Sequence, residues 1–210
     1  MSTPTATAAP PAEAPAAGAD PDAERVSAAL ARDLDDGFAE LVRTYQGLVY
    51  AVALRTTGHR ADAEDLAAEA LLRAYRSLAG HLADDHDTEW LRTLSPRPWL
   101  LTIVVNVRRN QVRDAARRPR TDGATPPDAP VPGPSVEEHA EHREATEHLA
   151  GLLARLPETQ RTAVVLRHVT DLPLAEVAEV LGCPVGTAKS HVSRGLARLR
   201  ALVDDTGGPR

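Results

Sequence analysis

A proline-rich stretch in the interior of the chain, residues 119–135, limits the architecture more than any other feature of the sequence. Its prolines are Pro119, Pro126, Pro127, Pro130, Pro132 and Pro134. A segment of this composition cannot bury enough apolar surface to offset the entropy of ordering its backbone, and it forms an extended, partly polyproline-like tether. The sequence therefore predicts two domains, one on each side of a flexible linker at residues 119–136.

The composition favours helices on both sides of this linker. Ala, Leu and Val dominate, aromatic residues make up only 3% of the chain, and β-branched residues cluster only at residues 103–107. With 210 residues, of which 42% are hydrophobic, the chain can bury one good core or two small ones. We predict an all-α protein with small helical domains at residues 22–118 and 137–204, and disordered tails at residues 1–21 and 205–210.

In the first domain, apolar residues at three- and four-residue spacing predict a helix that ends at Gly58. A second helix is predicted from about Ala61 to Leu78, with acidic residues in its first turn that favour the helix dipole. The acidic segment 81–98 is expected to be a long loop. Beyond it, a third helix is predicted to bury one stripe of side chains, formed by Trp99, Leu100, Ile103, Val104 and Val107.

In the second domain, residues 145–156 and the segment from Pro157 to about Val169 are predicted to be helices, and a helix-turn-helix follows them. Its first helix ends at Gly182, because glycine accepts the left-handed conformation of a tight turn. The second helix begins near Pro184 and is expected to bury Val185, Ala188, Val192, Leu196 and Leu199. Its outward face carries hydrogen-bonding and cationic groups that can reach base edges and phosphates, namely Thr187, Lys189, Ser190, His191, Ser193, Arg194 and Arg198.

The charge distribution agrees with a DNA-binding role, although the formal net charge is −6. Basic residues concentrate at residues 91–120, where only Asp114 opposes them, and at residues 182–200, where there is no acid. Two basic patches in an acidic chain indicate two DNA contacts, with acidic surfaces left for protein partners.

Other kinds of site find little support in the sequence. Cys183 is the only cysteine, which excludes intrachain disulfides and cysteine-rich metal sites. No apolar run is long enough to span a membrane, no signal peptide begins the chain, and no nucleophile has a base and an orienting group. His139, His142 and His148 lie in a Glu-rich segment at spacings that do not converge on a metal. We expect a cytoplasmic protein without cofactor or metal that is not an enzyme.

Several motifs occur in a fixed order between Phe38 and Val203. They are Asp62-Ala63-Glu64-Asp65-Leu66-Ala67-Ala68-Glu69, then Leu72-Arg73-Ala74-Tyr75, Trp99-Leu100 with Ile103 and Asn106, Leu156-Pro157-Glu158, and Gly182-Cys183-Pro184-Val185-Gly186-Thr187-Ala188-Lys189-Ser190. Together they resemble the extracytoplasmic-function sigma factors, a compact bacterial class with one promoter-melting domain and one promoter-reading domain. Several motifs in the right order are more specific than any one of them.

The resemblance implies roles for particular residues. The helix with the acidic motif would dock on the β′ clamp helices of core RNA polymerase, through Asp65, Leu66, Glu69, Leu72 and Arg73. The third helix and the segment before it would hold the minus-ten element as its strands separate, through Arg97, Trp99, Asn106, Arg109, Asn110 and Arg113. The helix-turn-helix would read the minus-thirty-five element. The polymerase β flap and an anti-sigma factor are further implied partners, and the protein would act at the nucleoid.

One alternative remains open from the sequence. The same helix-turn-helix could be the output domain of a regulator that binds operators without polymerase, while the first domain senses a ligand or a partner. That interpretation leaves the acidic motif and the basic third helix unexplained.

Overall fold

The computed structural model describes residue 20 and residues 22–83, 88–117 and 149–206, and all regular secondary structure within these ranges is helical. The linker at residues 119–136 and the three histidines of residues 139–148 lie outside the described residues. The helices of the first domain are α1 (Ala23–Arg32), α2 (Leu34–Thr57), α3 (Arg60–Ala83), α4 (Thr88–Thr93) and α5 (Pro96–Arg117). In the second domain, helical residues 149–154 precede α6 (Glu158–His168), α7 (Leu174–Leu181) and α8 (Val185–Thr206). The all-α prediction is confirmed.

The ends of α2 follow local sequence signals. The Asp33 side chain caps its first turn by accepting a hydrogen bond of 2.9 Å from the Asp36 backbone N–H. Gly58 ends the helix in the left-handed region, at φ 82°, and its N–H donates to the Leu54 carbonyl. The predicted end at Gly58 is therefore confirmed, and the acidic first turn of α2 lies at the favourable end of the helix dipole.

The N-terminal edge of the first domain differs from the prediction. Helix α1, which the apolar spacing did not reveal, packs on α2 with Val26, Ala29 and Leu30 buried. Asp20, which falls inside the expected tail, accepts a hydrogen bond of 2.6 Å from the Tyr45 hydroxyl. Burial, then that hydrogen bond, raises the pKa of Tyr45 well above its ordinary value. At the other end of the chain, α8 runs to Thr206, two residues beyond the expected end of the second domain at residue 204.

The prediction of one long loop at residues 81–98 is wrong. Helix α3 continues to Ala83, α4 spans Thr88–Thr93, and α5 begins at Pro96. Only residues 84–87 of the segment lie outside the described residues. The physical reason is the burial of Leu91 and Leu94, which anchor this acidic segment in the core although its average composition is polar.

Helix α5 buries more of its surface than the predicted single stripe. Leu100, Leu101, Val104, Val105 and Val107 are buried, whereas Trp99 and Ile103 are only partly buried. The reason is that α5 packs on α2 and α3 of its own domain and also on α7 of the second domain.

The two domains share one core. The buried residues form a single cluster that continues from α1–α5 into α6–α8, through contacts of α5 with α7 and of α2 with α6. Predicted burial of Ala163, Val164 and Leu166 in α6 is confirmed. No helix in the described ranges is long and apolar enough to cross a membrane.

Close packing of α1 on α2 generates a first prediction. A Cβ atom added to Gly37 would lie 2.4 Å from backbone atoms of Leu30, and backbone cannot rotate away as a side chain can. We expect Gly37→Ala to lower the free energy of unfolding by about 1–3 kcal/mol through overpacking. Urea denaturation followed by circular dichroism measures this change.

Gly47 in the same helix provides the matched control. A Cβ atom there would meet nothing within 4 Å, so we expect Gly47→Ala to raise stability by about 0.5–1 kcal/mol through helix propensity. If both variants changed stability in the same direction, the close approach at Gly37 would not govern the α1–α2 packing.

Candidate nucleic-acid interface

The turn between α7 and α8 forms as the sequence predicts. Gly182 has φ 65°, and its N–H donates to the Glu179 carbonyl at 3.0 Å. The Cys183 N–H donates to the Ala178 carbonyl at 3.0 Å. These bonds satisfy carbonyls at the end of α7 that have no partner within the helix. The turn thereby fixes the angle at which α8 leaves the domain.

Helix α8 presents an exposed face with no acidic side chain from residue 185 to residue 203. Its exposed polar residues are Thr187, Lys189, Ser193, Arg194 and Arg198. Ser190 and His191 are only half-buried, and the Ser190 hydroxyl donates to the Gly186 carbonyl at 2.9 Å. The Ser190 hydroxyl therefore already has an acceptor within its own helix. The structure brings all seven predicted residues together on one helix.

Val185 was predicted to face inward, and that prediction is wrong. The side chain is 49% exposed, while Ala188 and Val192 are buried and Leu196 and Leu199 pack partly against the core. The difference arises at the first residue of α8. The position of Val185 at the start of the helix, two residues before Thr187, is the signal that sequence reasoning missed.

Helix α5 carries the second basic surface. Asn106, Arg109 and Arg113 are exposed, Asn110 is half-buried, and Arg113 donates to the Asn110 amide oxygen at 2.7 Å. The guanidinium of Arg97, at the start of α5, donates to the Thr170 carbonyl of the second domain. The structure thus places all six residues predicted for the minus-ten site along one helix, and the surroundings of the sixth, Trp99, are described next.

Trp99 is held by other aromatic rings. Its ring meets that of Trp90 edge-to-face, with centroids 6.1 Å apart and an interplanar angle of 77°, and Trp90 stacks on His81 at 4.2 Å. Trp99 is only half-buried. The Trp99 side chain therefore stays partly accessible to solvent, while its ring contact with Trp90 joins α4 to α5.

Some residues of the acidic motif on α3 are exposed and others are buried in the core. Asp65 is exposed, Glu69 accepts a hydrogen bond of 2.6 Å from the exposed Arg73, and Leu72 is 44% exposed although it is apolar. Leu66 is wholly buried, because it points into the core of the first domain. The prediction that Leu66 contacts a partner protein is therefore corrected, and its role is packing.

Arginines connect the two domains. Arg161 of α6 donates to the Thr56 carbonyl in the last turn of α2 at 2.7 Å, and to the Ala154 and Leu156 carbonyls of its own domain at 2.8 and 3.2 Å. Burial lowers the pKa of the Arg161 guanidinium, and the charge of Glu158 opposes this shift. Three carbonyl acceptors offset part of the hydration that the guanidinium loses, whereas its buried Nε has no hydrogen-bond partner.

Two further arginines reach from α5 into the second domain. Arg109 donates to the Leu181 carbonyl at 2.8 Å, and Arg108 forms an ion pair with Glu158 at 3.2 Å. Glu176 of α7 is half-buried; burial raises the pKa of its carboxyl, and the charge of Arg97 opposes that shift. At these contacts of α5 the first domain contributes the cations and the second domain the acceptors, whereas Arg161 donates in the opposite direction.

Among the residues that the structure describes, no group of three or more His, Cys, Asp or Glu side chains is placed to hold a metal ion. A shallow groove of about 330 Å³ between α3 and α5 is lined by Asp62, Asp65, Arg108, Gln111, Val112 and Ala115. The groove is open and mixed in charge, and it adjoins the exposed acidic motif.

Comparison with known proteins identifies both domains. Residues 41–118 match the family model described as Sigma-70 region 2, and residues 147–199 match the model described as Sigma-70, region 4. The ECF RNA polymerase sigma factor SigW of Bacillus subtilis is 31% identical over 178 residues, covering 81% of this chain and 90% of that protein. The RNA polymerase sigma-E factor of Streptomyces avermitilis is 34% identical over 163 residues, covering 78% and 83%.

Solved structures agree with the fold. CnrH, in complex with the cytosolic domain of CnrY, aligns with a TM-score of 0.60 and 26% identity over 88% of this chain and 99% of that chain. The sigma factor RpoE of Bartonella quintana, in complex with the anti-sigma factor NepR, aligns with a TM-score of 0.59 and 24% identity over 80% and 96%.

The buried Arg161 generates the prediction for this site. Arg161→Ala leaves the Thr56, Ala154 and Leu156 carbonyls without their donor, and we expect a loss of about 3 kcal/mol or more in the free energy of unfolding. Arg161→Lys retains the positive charge but loses the planar guanidinium with its paired donors. We therefore expect it to restore only part of the lost free energy of unfolding. Urea denaturation of the full chain measures both.

Arg167→Ala is the matched control, because Arg167 donates to a single carbonyl, that of Leu172, at 3.0 Å. We expect it to cost only about 1 kcal/mol. Equal losses for Arg161→Ala and Arg167→Ala would contradict a special role for the guanidinium that joins the domains.

Proposed function

Because this chain belongs to the extracytoplasmic-function sigma factors, it is a promoter-specific transcription initiation factor, and we propose which of its surfaces perform each step. The observation that carries the proposal is the exposed, acid-free face of α8 behind a formed helix-turn-helix turn. Such a helix enters the major groove with its first residues against base edges. We assign the minus-thirty-five element to Thr187, Lys189, Ser190, His191, Ser193, Arg194 and Arg198.

The exposed face of α5 is assigned to the minus-ten element. Asn106, Arg109 and Arg113 offer donors for phosphates and for bases that have left the stack. Asn110 orients Arg113 through their hydrogen bond, and Arg97 and Trp99 extend the same surface toward the start of the helix. Trp99 supplies an aromatic edge more than a free stacking face, since Trp90 meets it edge-to-face.

The exposed part of the acidic motif is assigned to core RNA polymerase. Asp65, Glu69, Leu72 and Arg73 lie on the solvent side of α3, and a leucine that is 44% exposed beside charged groups is typical of a protein contact. We propose that this face binds the β′ clamp helices, and that the second domain meets the β flap. Polymerase then supplies the catalysis, and the protein acts in the cytoplasm at the nucleoid.

A protein that restrains this one is a further proposed partner. Its support is that the solved relative CnrH was observed in complex with a partner protein domain while sharing the fold over 88% of this chain. An anti-sigma factor would be such a partner.

Val185 adds a residue that reads bases. Its branched side chain is exposed at the first position of α8, where the helix enters the groove, and it can contact the C5-methyl group of thymine. Thr187, two residues further along the helix, supplies both a methyl and a hydroxyl group. We therefore assign Val185 to the minus-thirty-five contact, together with the polar residues of the same helix.

Reconstituted transcription tests the function. Core polymerase with this protein should start transcripts at defined promoters that core alone does not use. We expect Asp65→Ala combined with Glu69→Ala to weaken core binding roughly tenfold, because both carboxylates are lost from the contact. The affinity of the same variant for duplex DNA should stay unchanged.

Asp62→Ala combined with Glu64→Ala removes the same charge from the first turns of the same helix and is the matched control. It should bind core as the unmodified protein does. If the protein bound duplex operators tightly alone and never associated with core, the operator-binding regulator would be the correct interpretation.

The assignment of Val185 is tested by removing a single methyl group from the DNA. In a minus-thirty-five duplex from a promoter that the reconstituted polymerase uses, replacing the contacted thymine by uracil should weaken binding about fourfold, the value of about 0.8 kcal/mol per buried apolar carbon. Val185→Ala should weaken binding to the thymine duplex and make the protein indifferent to uracil.

Val203→Ala is the control for this experiment, because Val203 is equally exposed, at 51%, but lies near the far end of α8. It should leave binding and the response to uracil unchanged. If the Val185→Ala protein still discriminated thymine from uracil, Val185 would not be part of the minus-thirty-five contact.

A further inference from the structure

We infer that His191 reads a guanine in the minus-thirty-five element, by donating a hydrogen bond from its Nε2 atom to N7 of the base. This inference rests on the proposed function, because it concerns one residue of the α8 surface that we assign to that element. The contact fixes both the nitrogen of the side chain that donates and the base that is selected.

His191 lies at the edge of the exposed face of α8. Thr187 and Arg194, which are exposed, lie one helical turn before and after it on that face. Gly195, one turn after His191 on the inner side, is buried against α6: a Cβ atom added there would lie 2.6 Å from the Val164 side chain. The half-buried imidazole therefore stands between the exposed face of α8 and the contact of α8 with α6.

Burial distinguishes the two nitrogens of this ring. The Nδ1 atom is buried and has no hydrogen-bond partner among the described residues. The exposed part of the half-buried ring is therefore the opposite edge, which carries Nε2. The side-chain oxygen of Gln160, in α6, is also buried without a donor, so Nδ1 does not donate to it.

The burial of Nδ1 fixes the position of the ring proton. A neutral imidazole has one N–H donor and one acceptor nitrogen. Buried N–H groups without an acceptor are rarer in proteins than buried acceptors that lack a donor. Nδ1 is accordingly the unprotonated nitrogen of His191. Nε2 carries the proton, and it offers one donor on the accessible edge of the ring.

A single accessible donor selects an acceptor on the DNA. In the major groove, guanine presents two acceptors, N7 and O6, whereas cytosine presents a donor. Adenine presents N7 beside its N6 amino group, a donor that repels the N–H of histidine, and thymine presents O4 beside a methyl group. The O6 atom of guanine already accepts a hydrogen bond from its paired cytosine, whereas N7 has no partner in the base pair. Guanine N7 is therefore the preferred acceptor for Nε2.

The reach of the side chain favours a base over a phosphate. His191 is the seventh residue of α8 and lies in its second turn. The first turns of a recognition helix contact base edges in the major groove. Because the imidazole is short and half-buried, Nε2 stays close to the surface of the helix. The arginines of the same face are longer and can also reach phosphates.

Removal of one acceptor atom from the DNA tests this contact. The full chain with core polymerase is bound to a promoter that it uses, and each guanine of the minus-thirty-five element, on either strand, is replaced in turn by 7-deazaguanine. This base lacks N7 but keeps its base pair. At one guanine the replacement should weaken binding about fivefold, the net strength of one hydrogen bond. An element in which no guanine responds would overturn the inference.

Substitutions of His191 link this response to the side chain. His191→Ala should bind equally to guanine and 7-deazaguanine at the responsive position. A response that persists in His191→Ala would assign the guanine to another residue and overturn the inference. His168→Gln is the matched control, because His168 is an exposed histidine of α6 in the same domain. It should respond as the unmodified protein does.

Two amide variants separate the nitrogens of the ring. The amide nitrogen of His191→Gln stands near the place of Nε2, and that of His191→Asn near the place of Nδ1. His191→Gln should keep the response to 7-deazaguanine at the same position, and His191→Asn should lose it. Any other outcome would overturn the assignment of the donor to Nε2.

The position of the ring proton can be measured without DNA. Nitrogen NMR of the full chain at neutral pH distinguishes protonated from unprotonated ring nitrogens, and the signals of His191 are those absent from His191→Gln. Nε2 should be protonated and Nδ1 unprotonated. A proton on Nδ1 would overturn the inference, because a donor would then lie on the buried edge of the ring.

Transcription separates this inference from the proposed function. If the protein directs promoter-specific transcription but no guanine of the minus-thirty-five element responds to 7-deazaguanine, the inference fails and the proposed function stands. If the protein never associates with core polymerase, the proposed function fails, and the contact of His191 with this element fails with it.

Discussion

The buried guanidinium of Arg161 is the contact on which the relation between the two domains depends. It donates to carbonyls at residues 154 and 156, where the chain enters α6, and to the Thr56 carbonyl at the end of α2. One planar group thus fixes a bend within the second domain and the position of that domain on the first. A buried cation is tolerable here because both terminal nitrogens of the guanidinium donate to carbonyls, in a fixed fork that lysine lacks.

The interface uses the same chemistry more than once. Thr56 lies in the last turn of α2, and Leu181 is the last residue of α7. Such helix ends need donors from outside the helix, and arginines of the opposite domain supply them. Water can also satisfy these carbonyls, so contacts at exposed positions such as Arg109 separate at small cost. The buried contact of Arg161 with Thr56 costs more to release, and it sets how firmly the domains hold together.

Local signals in the sequence were sufficient for most of the fold. Apolar spacing and the glycines at residues 58 and 182 predicted α2, α7 and the start of α8, because these ends depend on backbone conformation at one residue. The acidic segment 81–98 was misjudged since average polarity hides two buried leucines, Leu91 and Leu94. The burial of Leu66 and the exposure of Val185 were missed for a related reason. Helical periodicity shows which residues share a face of a helix, but it does not show which other helices cover that face.

The docking of the domains could not be predicted from periodicity at all. An arginine that donates to a main-chain carbonyl of a distant helix leaves no complementary side chain in the sequence, so Arg97 and Arg109 looked like a basic surface only. Resemblance to a family assigned these residues to DNA and gave no information about what they bind in its absence.

The hydrogen bonds of Arg97 and Arg109 to main-chain carbonyls bear on the apparent conflict between a net charge of −6 and a DNA-binding role. An acidic chain is repelled by DNA at long range, and the cations free to meet phosphates decide whether it binds non-specifically. With Arg97 and Arg109 engaged by carbonyls, the first domain offers fewer of them. A genome presents a vast excess of non-specific sites, so a sigma factor that bound DNA well alone would be sequestered there.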